Sequence, residues 1–161
     1  MKSELLSLSH IIIVIHAASS ANKPLNRKLI SLLIYIVCRL LNKQLEVQVK
    51  QNDEVLEVRD LHVILKMLKN NGLILEENNG SILLNEKINY ILNDLISNKE
   101  NIRIWRLAYE IAKLSSYTIG KIASYLRAIE EHDVNNLKGE EKEIISELIS
   151  IIENKVRYLS N

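Results

Sequence analysis

The chain has 161 residues, of which 47% are apolar and 25% charged, with a net charge of +1 from 21 basic and 20 acidic side chains. That length suits one compact domain or a small domain with a helical extension, and the apolar share excludes a disordered chain. The balance of charge excludes a protein that is basic all over, so any phosphate-binding surface must be a local patch.

In chain order, Ser3 can cap a first helix over residues 4–18. Its run LLSLSHIIIVIHAA looks superficially like a signal peptide. Against that, Lys2 stands beside Glu4, His10 and His16 interrupt the apolar run, and Pro24 opens a further folded helix. The run is also shorter than the roughly 20 apolar residues a membrane span needs, so it reads as a buried helix. Pro24 suits the first turn of a second helix reaching to about Leu41, because its missing N–H is unpaired there in any residue. That helix is apolar nearly all round and should be central. It contains the single cysteine, Cys38, which reads as a small buried hydrophobe. A lone thiol has no disulfide partner within the chain, which points to a reducing, cytoplasmic setting.

LEVQVK places Leu45, Val47 and Val49 on one side, the period of a strand. QND reads as a turn and EVLEV as a second short strand. Asp60 is positioned as the N-cap of LHVILKMLKNN, whose Leu61, Ile64, Leu65 and Leu68 form one stripe. Gly72 supplies the left-handed residue that ends such a helix. LILEE, NNG and SILLNE then read as strand, turn and strand, with Asn79-Gly80 predicting a two-residue primed turn.

The remainder reads as helical. One helix spans about 86–97, and NIRIWRLAYEIAKL makes another with Ile104, Leu107, Ala108 and Ile111 inward. Ser115 or Ser116 caps a third, with Ile119, Ile122, Leu126 and Ile129 on one face, and HDVNNLKG is a loop. The last helix spaces Ile145, Ile149, Ile152, Val156 and Leu159 alternately by four and three, a two-heptad seam. That seam must be covered, either by its own domain or by its twin in a homodimer.

The run DLHVILKMLKNNGLILEENNGSILL places a helix directly before a β-hairpin. Together with the preceding helices and short strand, it resembles the winged helix-turn-helix superfamily over about residues 24–98. The resemblance implies a recognition helix for the major groove and a wing touching the neighbouring backbone. It also makes a dimer an expectation, since two-fold regulators match paired half-sites. On this reading Lys66, Lys69 and Arg59 would meet phosphate, and His62 or Asn70 a base edge or phosphate. The wing departs from that pattern. It carries Glu76 and Glu77, and no Arg or Lys lies between Asn70 and Lys87. Two carboxylates there repel a phosphate backbone unless they point away.

Other constellations carry less. TIGKIASYL resembles the first helix of a helix-turn-helix, but RAIEE continues the helix where a turn is needed, and Gly120 reads as a close-packing point. Arg103, Arg106 and Lys113 share a helix with Trp105 and Tyr109, as single-strand-binding faces do. Core-edge aromatics and an Arg106–Glu110 pair explain that helix more simply. The acids Glu140, Glu141, Glu143 and Glu147 suit the start of the last helix. EEHD lacks ligand spacing, and His10 and His16 are six apart, not the four that aligns two ligands on a helix. No Gly-rich phosphate loop, G-x-S-x-G or Cys–His arrangement with an orienting acid stands out.

The sequence thus predicts a mostly α protein: a winged-helix-like unit with a small β-hairpin over 1–98, and additional C-terminal helices over 99–161. It predicts no catalytic residues, cofactor, metal or membrane partner. The leading expectation is a DNA-associated or transcription-regulator-like protein of the cytoplasm. The alternative is a non-catalytic subunit or adaptor that uses the same fold to bind protein.

Overall fold

The computed structural model describes residues 8–42, 47–49, 56–131 and 139–160. Ser3, Leu45, the QND turn and most of HDVNNLKG lie outside them. The described residues form α1 (Leu8–Ser20), α2 (Arg27–Leu40), β1 (Val47–Val49), β2 (Leu56–Val58), α3 (Leu61–Asn70), β3 (Ile74–Glu76), β4 (Ile82–Leu84), α4 (Lys87–Leu95), α5 (Lys99–Ala112), α6 (Ser116–Glu130) and α7 (Gly139–Ser160). The protein is mostly α with small antiparallel hairpins, as the sequence implies. No helix among the described residues is long and apolar enough to cross a membrane.

The two most apolar helices sit at the centre. Ile11 through Ile15, Ala17 and Ala18 of α1 are buried, as are Leu29 through Cys38 of α2 apart from Leu32. Each large side chain so removed from water stabilises by about 1.5–3 kcal/mol. α2 begins later than expected. Asn26 is its N-cap, with Oδ1 accepting from Leu29 N at 2.8 Å, so Pro24 falls outside the first turn expected for it. Pro24 lies in the connector, and the following Leu25 is instead drawn to β4, where its carbonyl accepts from Ile82 N at 2.9 Å.

β1 and β2 pair antiparallel, with Val47 opposite Val58. The element directly ahead of α3 is therefore a β-ribbon rather than a helix. Asp60 occupies the N-cap position of α3 but does not cap with its side chain. Its φ of +63° is left-handed, and its carbonyl accepts from Val63 and Ile64 N. The far end follows expectation: with Gly72 at φ +72°, Leu73 N bonds to Leu68 O and Gly72 N to Lys69 O, which stops the helix and satisfies its last carbonyls.

The β3–β4 hairpin is in register Ile74↔Leu84, Leu75↔Leu83 and Glu76↔Ile82. Its turn differs from the one predicted. A two-residue primed turn needs positive φ at both central residues, whereas only Gly80 is left-handed, at +87°. Glu77 N bonds to Ser81 O and Gly80 N to Glu77 O, giving a three-residue loop of Asn78, Asn79 and Gly80. Asn79 Oδ1 accepts from Ser81 N at 3.0 Å, so its role is side-chain bonding rather than a left-handed backbone.

The C-terminal helices pack on the first ones. α5 lies against α1, α2 and α7, and α6 against α2 and α7. One buried cluster runs from Ile11 to Val156, so residue 98 marks no break in the core. Ile145, Ile149, Ile152 and Val156 are buried within the chain; the seam is thus covered by its own domain at these four positions. Leu159 lies outside the described side chains. α6 runs unbroken from its Ser115 cap, whose Oγ accepts from Thr118 N, leaving no turn for a second helix-turn-helix. Its expected inner face shortens, since Ile129 is exposed.

Two polar clusters tie the helices. Glu130 accepts from Tyr35 Oη at 2.8 Å, and from Arg39 Nε and Nη2 at 2.9 and 2.8 Å. Burial pushes its carboxyl up, but the hydrogen bonds from Arg39 and Tyr35 outweigh it and hold the group below its usual range. Burial, followed by the contact with Glu130, pushes the Tyr35 hydroxyl above its ordinary value. In the second cluster Trp105 Nε1 donates to His16 Nδ1 at 3.0 Å, and His16 Nε2 lies 3.0 Å from Asn89 Oδ1. The neutral tautomer protonated on Nε2 satisfies both contacts, and burial lowers the His16 pKa despite the opposing Asn89 bond. Trp105 stacks on Tyr109 at 5.1 Å between centroids, at the edge of the core.

Candidate nucleic-acid interface

α3 is amphipathic because its apolar residues recur at three and four. Leu61, Leu65 and Leu68 are buried and Ile64 is half-buried, which fixes the helix's rotation. Everything else on the helix must then face outward. His62, Lys66, Lys69 and Asn70 are all exposed, as the sequence predicts, and Arg59 is exposed just ahead of the cap. Spacings of four and three put His62, Lys66 and Lys69 in one stripe along α3. Lys66 has no ion-pair partner among the described residues.

The two hairpin acids divide. Glu76 turns toward α2, where Arg27 Nε and Nη2 reach its two oxygens at 3.2 and 3.0 Å. Those hydrogen bonds, with a smaller contribution from nearby Lys69, hold the Glu76 carboxyl below its usual range. An exposed pair of this kind is worth roughly 0.5 kcal/mol to stability. Its larger effect is local: one of the two hairpin carboxylates is paired with a cation. Glu77 stays exposed.

The chemistry available to this face is donor chemistry. Two ammonium groups can meet phosphate oxygens, while an amide and an imidazole can meet phosphates or base edges. Sequence reasoning missed an adjoining apolar half. Val63 and Met67, one turn apart on the next stripe of α3, are 44% and 48% exposed. On the β3–β4 hairpin, Leu75 and Leu83 face each other across the strands and are also exposed. The signal was there in Val63 and Met67 at i and i+4, outside the stripe that the core uses. The aromatic helix is occupied otherwise. Glu110 accepts from Lys155 Nζ at 3.1 Å and pairs with Lys113 at 3.0 Å, and Lys113 lies over the Tyr109 ring. Of EEHD, Glu130 is committed to Arg39 and Tyr35, while His132 and Asp133 lie outside the described residues. No family model, curated protein or solved structure matches the chain.

Proposed function

We propose that the protein is a small DNA-associated module in which α3 approaches the duplex. The reading is carried by one observation: His62, Lys66, Lys69 and Asn70 are exposed together on the outward side of a single capped helix. The removal of Glu76 by Arg27 supports it, since it lessens the repulsion that the wing would otherwise oppose to phosphate. With few cations on the face, binding to random duplex would be weak and read mainly through the backbone.

The test is a salt titration of binding to random duplex DNA. Two lysine contacts give a slope of log K against log salt of about −2, at roughly −0.9 per phosphate neutralised. Lys66→Glu combined with Lys69→Glu abolishes that binding while the circular dichroism spectrum is retained. Absence of binding even at low salt rejects the reading. A second reading, a non-catalytic subunit or adaptor, is favoured by the exposed Val63, Met67, Leu75 and Leu83. It gains if DNA binding is absent and Met67→Glu releases a co-purifying protein partner.

A further inference from the structure

Away from α3, an open groove of about 690 Å³ runs between the first turns of α2 and the body of α6. Its size is within the range of small-molecule sites. Among the described residues three cations line it, Lys28 from α2 with Lys121 and Arg127 from α6, and no carboxylate does. Glu141 and Glu131, which pair with Lys121 and Arg127 at 3.5 and 2.9 Å, are not among its lining residues. Lys28 has no ion-pair partner among the described residues. A groove walled by one sign of charge concentrates the opposite sign.

The groove is not only charged. Leu29 and Leu32 give it an apolar side, and Tyr117, also in its lining, is 71% exposed with Lys121 Nζ 5.4 Å from the ring centroid. Gly120 adds an independent observation. It stands inside α6, where glycine is the poorest non-proline helix former, so a reason is needed for it. Packing is not that reason: a Cβ at Gly120 would meet no atom within 4 Å. That also replaces the close-packing role the sequence suggested. Gly120 lines this groove, and its missing side chain leaves open space there.

We propose that the groove binds an aromatic organic monophosphate, a planar ring bearing one phosphate. The phosphate sits among Lys28, Lys121 and Arg127, exchanging with the Glu141 and Glu131 carboxylates for two of them. The ring lies over Gly120 between Tyr117 and the leucine wall, covering surface that is wet without it. Neither contact depends on α3 or on the DNA reading.

Isothermal titration of the intact chain with AMP, CMP and 4-nitrophenyl phosphate tests this, with adenosine and inorganic phosphate as comparators. At least one ring phosphate binds at one site, at least tenfold tighter than either comparator. Lys28→Glu and Gly120→Leu each weaken that binding at least tenfold while the helical circular dichroism signal is kept. Should Gly120→Leu fail to fold, the exposed Lys28→Glu variant carries the test alone. Absence of saturable binding by all three ring phosphates overturns the proposal. So does binding no tighter than that of inorganic phosphate, or binding that Lys28→Glu leaves intact.

Discussion

Gly80 holds φ at +87° at the tip of the β3–β4 hairpin, a conformation that a β-branched side chain resists whatever space surrounds it. Gly80→Val is expected to cost roughly 1–3 kcal/mol. At about 2–4 °C per kcal/mol for a chain of this size, the thermal midpoint followed by circular dichroism falls by several degrees. An unchanged midpoint would mean that the tip contributes nothing to folding. His16 gives a pH prediction. Its folded pKa lies below the unfolded value of about 6.5, so the unfolded state binds its proton first. Stability attributable to His16 is then fully present above about pH 6.5 and is lost as pH falls through the folded pKa. Protonated Nδ1 could no longer accept from Trp105. Urea midpoints at pH 7.5 and 5.5 should differ less in His16→Gln than in the parent; equal differences would remove His16 as the cause. At this scale the sequence reveals that Asn79-Gly80 reverses the chain but not by which turn, because the turn type depends on strand pairing on either side. The His16–Trp105 bond, spanning 89 residues, leaves no local trace.

Among the elements, α7 shows what periodicity conveys and what it omits. Spacings of four and three identify Ile145, Ile149, Ile152 and Val156 as one apolar stripe but say nothing of what covers it. In the fold α5 and α6 do, helped by Lys155 reaching Glu110 at 3.1 Å. Ile149→Ala should therefore cost about 2–5 kcal/mol. The loss in melting temperature should be the same at low and high protein concentration, since association linkage makes stability concentration-dependent. A melting temperature that rises with concentration in the parent, and not in the variant, would place the stripe between chains instead. α3 was legible for the same reason as α7, with its glycine stop added. The start of α2 was not, because Asn26 and Pro24 both signal a helix entrance and only the pairing of Leu25 with β4 decides between them.

At the scale of the whole molecule, the candidate site is half legible. Outward basic residues follow from the inward leucines, so His62, Lys66, Lys69 and Asn70 could be placed from one helix alone. The Arg27–Glu76 contact could not, since it joins residues 49 apart, one at the start of α2 and one in β3. The groove between α2 and α6 is likewise a product of assembly, with its lining drawn from two distant segments.

Cys38 lies fully enclosed in α2, and it is the chain's sole sulfhydryl. No small fluctuation of the surface exposes it; a reagent such as iodoacetamide reaches it only when the centre opens. The rate of single-site alkylation thus becomes a clock for global unfolding, requiring no engineered probe. That rate should accelerate with urea in step with the loss of helical signal. Rapid alkylation in native buffer would show that α2 is not at the centre.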